Sequence, residues 1–178
     1  MNDKATSSSK ESGFRSFPRV FWVVVLMEFF ERGSYYALMS VLSVYMVDQE
    51  ADGGLGLSKG AAGSINNTIR PLLYFLPIVA GAVADRFGYR RSLLVAFCLL
   101  STGYFLAGQM TSYVAVFLSL IVMATGAGIF KPIISGTIAR STTESNSGLG
   151  FGIFYWTINL GAFLLPLVLV NYLRTHAY

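Results

Sequence analysis

The sequence predicts an all-α membrane protein, a bundle of about five transmembrane helices, and three observations predict it. First, 54% of the 178 residues are hydrophobic and only 12% are charged, half the ~25% of an ordinary soluble domain. Second, the apolar residues fall in five long runs, each close to the ~20 residues that a helix needs to cross a hydrocarbon core. Third, the runs are long and do not alternate. In lipid only helices and closed barrels satisfy every backbone polar group, and barrel strands alternate over about ten residues.

In chain order, the first residues are rich in Ser, Lys, Asp and Asn, and 1–17 read as a disordered cytoplasmic tail. The apolar run that follows is too long for a signal-peptide core and contains Glu28 and Glu31, so no cleaved signal is expected. The bundle is expected over 18–173, with helices at 18–47, 59–84, 92–110, 113–139 and 149–172, and with 174–178 as a cut end. Gly and small residues in the runs suit close helix packing. Pro71, Pro77, Pro132 and Pro166 lie inside them and predict kinks. A single cysteine, Cys98, rules out an intrachain disulfide and a cysteine metal cluster. No metal and no cofactor is expected.

The net charge of +4 would suggest nucleic acid in a soluble protein. Here the basic residues sit at the ends of the runs, so they report orientation and no nucleic-acid partner is expected. Lys4, Lys10, Arg15 and Arg19 precede the first helix. Arg86, Arg90 and Arg91 lie between the second and third, and Arg140 follows the fourth. The first loop carries Asp48, Glu50 and Asp52 with only Lys59 beside them, and the third loop is uncharged. The positive-inside bias predicts a cytoplasmic N-terminus in an integral protein of the plasma (cytoplasmic) membrane.

Glu28, Glu31 and Arg32 place three formal charges inside an apolar run. Each costs roughly 2.5–3.5 kcal/mol at the centre of an inserted helix, so such groups face protein or water. Glu28, Glu31, Arg32, Tyr35, Tyr36 and Met39 fall on one helical face. Glu28 and Arg32 form an i,i+4 pair in the favourable order, which leaves Glu31 in need of a partner. Arg70 is central in the second helix and Lys131 in the fourth, giving two acids against three bases at depth. Lys131 is expected to pair with Glu28 or Glu31. A carboxylate that loses its cation in a desolvated cavity favours its protonated form, so rearranging such pairs is linked to proton movement. Tyr74 lies one turn after Arg70, and Tyr155 and Asn159 are i,i+4 on the fifth helix. Asn159 is a mid-span amide that requires a partner.

The turn Gly81-Ala82-Val83-Ala84-Asp85-Arg86-Phe87-Gly88-Tyr89-Arg90-Arg91 reads as a structural loop. Gly81 and Gly88 let helix ends approach, Asp85 caps or pairs, and Arg86, Arg90 and Arg91 hold it in place. Two weaker patterns carry nothing. The sequon Asn66-Asn67-Thr68 falls inside the second helix. Gly126 to Lys131 lacks the Gly-Lys-Ser/Thr ending of a phosphate loop. No nucleophile, paired-carboxylate or metal constellation points to an enzyme.

The 81–91 turn resembles the signature loop of the major facilitator superfamily. Glu28-x-x-Glu31-Arg32-x-Ser34-Tyr35-Tyr36 resembles the ExxER motif of the proton-coupled oligopeptide transporter family. Gly128-Ile129-Phe130-Lys131-Pro132 and Phe154-Tyr155-Trp156-Thr157-Ile158-Asn159-Leu160-Gly161 resemble its fourth- and fifth-helix segments. Tyr74, Pro77, Gly81 and Asp85 fit its second-helix pattern. The resemblance implies a major-facilitator N-terminal bundle and a symporter that imports di- and tripeptides with protons as the coupling ion. It implies coupling through Glu28, Glu31, Arg32 and Lys131, and a peptide site lined by Tyr35, Tyr36, Tyr74, Tyr155 and Asn159.

The chain departs from the pattern at Gly33, Ala37 and Ile133. At Met39 the family usually has an Arg associated with the peptide carboxylate. Arg70 stands where the family has a small or polar residue, and it is expected to bind substrate in that Arg's stead. The family has about twelve helices in two halves, so the chain is read as an N-terminal fragment whose partners are a small peptide or other small molecule, the lipid bilayer and a missing C-terminal half. Two alternatives stand beside peptide symport: a same-fold transporter of a non-peptide molecule, and a truncated membrane protein without transport.

Overall fold

The computed structural model describes residues 13–176. Its helices are α1 (Arg19–Val47), α2 (Lys59–Phe87), α3 (Tyr89–Gln109), α4 (Tyr113–Arg140) and α5 (Ser147–His176), with short 3-10 turns at Phe14–Ser16 and Glu50–Asp52. Among them α2, α3, α4 and α5 are long and apolar enough to cross a membrane. The 29 residues of α1 rise about 43 Å at 1.5 Å each, also long enough. The charges in the middle of α1 are what keep it from reading as a span by composition.

Set beside the expected runs, the helices differ in three ways. First, α2 and α3 extend toward each other until only Gly88 separates them. Gly88 adopts φ 87°, a left-handed conformation that glycine takes without steric cost. Its N–H donates to the Ala84 carbonyl and its own carbonyl accepts from Ser92 N–H, so one residue closes both helix ends. Second, α5 continues through 174–176, where a cut end is expected. Residues 177–178 lie outside the described residues, as do 1–12 of the expected tail.

Third, 13–17 are folded where a disordered tail is expected. Phe17 is buried and stacks on Phe21 at 4.3 Å between ring centroids. Asn146, also buried, donates to the Ser16 hydroxyl at 3.2 Å and accepts from Thr143 N–H at 2.7 Å. Phe17, among polar neighbours, gives this segment apolar area to bury, and composition alone conceals that.

The chain divides into two compact units, with the boundary falling inside α1 and inside α4. The first contains 13–37 and 134–176 of the described residues. Its core includes Phe17, Phe21, Val24, Ile134, Ile138 and Phe154. Here α5 lies directly on α1. A Cβ built on Gly161 would stand 2.5 Å from the Phe29 carbonyl oxygen, and one on Gly33 would overlap Leu165. Only glycine permits backbones so close. Phe21 meets Gly150, Phe29 meets Gly161 and Gly33 meets Leu165, so the numbering rises together and the two helices run parallel.

The second unit is Leu38–Ile133. Its α2 packs on α3. Its α3 and α4 meet at Gly103–Met123 and Leu100–Gly126, with numbering that runs in opposite senses, so they are antiparallel. Val116, Leu120, Met123, Ala127 and Phe130 of α4 are buried. The first loop folds back on the end of α1 through Leu55 N–H to Tyr45 C=O and Leu57 N–H to Met46 C=O, both 2.9 Å. Ser58 then caps α2, its hydroxyl accepting from Ala61 N–H. Half of the most apolar stretch of α4 is buried, against 17% for α2, so α2 keeps a broad outward face.

Candidate functional site

In the first unit the site is built on α1. Glu28, Glu31 and Arg32 are 4%, 5% and 9% exposed, so the helix turns its charged face inward, as its sequence requires. Arg32 Nε lies 3.4 Å from Glu28 Oε1, the expected i,i+4 pair. Arg32 also donates from Nε to Glu31 Oε2, and one of its terminal nitrogens lies in ion-pair contact with the same oxygen. Sequence spacing misses this second pair, because adjacent residues do not face each other on a helix. The length of the guanidinium stem lets Arg32 fold back along its own turn. The guanidinium carbon also stands 5.3 Å from the Tyr35 ring centroid, within cation–π range, and the Tyr35 and Tyr36 rings meet edge to face.

One cation thus serves two carboxylates and a ring. The trio holds one more acid than base, and a surplus charge in a desolvated site must be met by a proton or by a further cation. Glu31 Oε1 has no hydrogen-bond partner among the described residues.

On α5, in the same unit, Tyr155 and Asn159 are both exposed. Asn159 Nδ2 donates to the Tyr155 carbonyl at 2.8 Å. The partner that a mid-span amide needs is therefore its own helix, one turn back. The Tyr155 ring contacts Phe151 and Phe154.

In the second unit the expected residues lie on α2 and α4. Tyr74 is 79% exposed, and Lys131 Nζ stands 5.7 Å from its ring centroid. Arg70 is exposed one turn before Tyr74. No ion pair, hydrogen bond or ring contact joins Arg70 to a described residue, whereas charges at depth are expected to find each other. Asn67, expected only as part of an idle sequon and not as a site residue, shares this exposed face at i−3 from Arg70. Its signal was spacing alone.

The signature turn is held differently from expectation. Asp85, Arg86, Arg90 and Arg91 are exposed, and none forms an ion pair or hydrogen bond with a described residue. Gly81 lies within α2 rather than at the turn. The closure is the backbone of Gly88 and its two flanking hydrogen bonds, with no side chain needed. Among the described residues no group of three His, Cys, Asp or Glu could hold a metal ion.

The structure therefore brings Glu28, Glu31, Arg32 and Tyr35 together in one unit, and Tyr74 with Lys131 in the other. Residues 23–171 match the family model of the Major Facilitator Superfamily. An uncharacterized transporter of Bacillus subtilis, YclF, is 32% identical over 94% of this chain and 35% of its own length. A di-/tripeptide transporter of Lactococcus lactis is 32% identical over 89% of this chain and 33% of its own. Among solved structures, a POT family transporter in complex with 5-aminolevulinic acid superposes with a TM-score of 0.83 at 32% identity, over 92% of this chain and 34% of its own. The chain thus spans about a third of the length of these relatives. It is an integral membrane protein that belongs to the Major Facilitator Superfamily, and within that superfamily it is similar to the POT peptide transporters.

Proposed function

We propose that the chain forms part of a proton-coupled symporter that imports di- and tripeptides by alternating access. The observation that carries this reading is the buried α1 trio, with its surplus of one acid and a Glu31 oxygen left without a hydrogen-bond partner among the described residues. A purely structural ion pair would balance its charge. A surplus acid calls for a mobile countercharge, and a proton is the smallest one available.

In the proposed cycle, one carboxylate of the trio accepts a proton, which releases the Arg32 guanidinium to strengthen its hold on the other. Lys131 supplies a further cation, paired with Glu28 or Glu31 in one state and released in another. Proton occupancy then selects which ion pairs are made, and the ion pairs select which side of the membrane the site faces. Tyr35, Tyr36, Tyr74, Tyr155 and Asn159 line the peptide site, with exposed phenols and an amide offered to a polar ligand. A second transmembrane half, implied by the family resemblance, closes over this face. The N-terminus lies in the cytoplasm and the membrane is the plasma membrane.

A second reading has a specific observation behind it. A similar transporter has been solved in complex with 5-aminolevulinic acid, so a small amino acid that is not a peptide is the competing substrate. The test is uptake by the full-length protein reconstituted in vesicles. With an inward proton gradient, a radiolabelled dipeptide is expected to accumulate above its external concentration, and a proton-conducting uncoupler is expected to collapse that accumulation. Accumulation of 5-aminolevulinic acid alone would select the second reading. Accumulation of neither would remove the transport reading.

A further inference from the structure

We infer that Arg70 recognises the anionic end of the transported molecule, so that the site selects a free carboxylate over its neutral amide. This rests on the transport reading above and names the residue of that site that discriminates.

Arg70 lies 11 residues from the start of α2 at Lys59 and 17 from its end at Phe87, well inside a helix apolar enough to span the membrane. A guanidinium at that depth must face protein, water or an anion, because lipid offers it no partner. The buried side of α2 is Ala62, Ile65, Ile69, Leu73, Ala80 and Ala84, and Arg70 is not on it. Asn67, Arg70 and Tyr74, at i−3, i and i+4, share the opposite, exposed side.

Three cations lie at membrane depth, and they are not equally available. Arg32 is buried and held by two carboxylates and a ring. Lys131 stands over the Tyr74 ring. Arg70 alone has no ion pair, hydrogen bond or ring contact with any described residue. Its fork of N–H donors fits a carboxylate through two parallel hydrogen bonds, and the Asn67 amide and Tyr74 phenol add donors on either side. Such a donor-rich, positive patch is complemented by an anion. A carboxylate on the ligand meets that requirement while leaving the face empty and hydrated between substrates.

The test measures uptake of dialanine and of dialanine amide by the full-length protein in vesicles, for the wild type, Arg70→Gln and Arg70→Lys. The wild type is expected to prefer the acid. Arg70→Gln is expected to lower the acid-to-amide ratio by about tenfold or more, the size expected for losing a hydrogen bond to a charged group, mainly by raising KM for the acid. Arg70→Lys is expected to restore part of the ratio, because it returns the charge without the fork. Thermal unfolding midpoints in detergent, measured alongside, are expected to agree within a few degrees.

Equal loss of acid and amide uptake in Arg70→Gln would overturn the inference, because Arg70 would then be holding an acid of the protein. An unchanged ratio would also overturn it, because another cation would be reading the carboxylate. A wild type that takes up neither probe would overturn the transport reading first and this inference with it.

Discussion

Two helices carry arginine at membrane depth, and they treat it in opposite ways. On α1, Arg32 is buried and shared between Glu28 and Glu31. On α2, Arg70 is exposed and has no partner among the described residues. The same side chain therefore sits in two different settings. Where the sequence supplies carboxylates one turn and one residue away, the guanidinium becomes the centre of an internal charge network. Where it supplies only Asn67 and Tyr74, the guanidinium is left exposed, and the occupant proposed for it is a carboxylate of the substrate.

The largest expected effect breaks the α1 side of this contrast. Arg32→Ala leaves two buried carboxylates facing each other without their cation. Removing one partner of a buried pair typically costs about 3–5 kcal/mol, so a large drop in thermal stability in detergent is expected. A smaller effect tests what buries the cluster. Gly161→Leu places a side chain where even a Cβ would meet the Phe29 carbonyl. Forcing α5 off α1 is expected to cost about 1–3 kcal/mol, as overpacking does, again read by thermal unfolding. The smallest effect sharpens the α2 side. Arg70→Gln is expected to change stability by no more than about 0.5 kcal/mol, as exposed substitutions do, while changing substrate preference. If Arg70→Gln destabilises as much as Arg32→Ala, the contrast between the helices is wrong.

Much of this was legible in the residues, and what was hidden has physical causes. The five runs announced five helices because a membrane span needs length and apolarity together, and both are local. The inward face of α1 followed from its charges, since Glu28, Glu31 and Arg32 had nowhere else to go. Two things were hidden. Side-chain reach was one: the Arg32–Glu31 pair depends on a long stem folding back, which spacing rules do not encode. Choice of partner was the other. Asn159 bonds to its own helix, Asp85 bonds to nothing described, and Asn146 ties Ser16 to the α4–α5 loop. A polar residue in a sequence declares a need for hydrogen bonds without saying where they go. The fold at Phe14–Phe17 was hidden because its polar neighbours outvoted its two aromatic residues.

In the proposed function the α1 trio handles a proton rather than merely holding the helix in place. Glu31→Gln keeps the shape of the side chain and brings the trio to formal neutrality, so the fold is expected to survive. In vesicles containing the full-length protein, this variant is expected to lose dipeptide accumulation driven by a proton gradient, while still exchanging labelled for unlabelled dipeptide when no gradient is imposed. Accumulation at the wild-type level, or loss of accumulation and exchange together, would contradict the account.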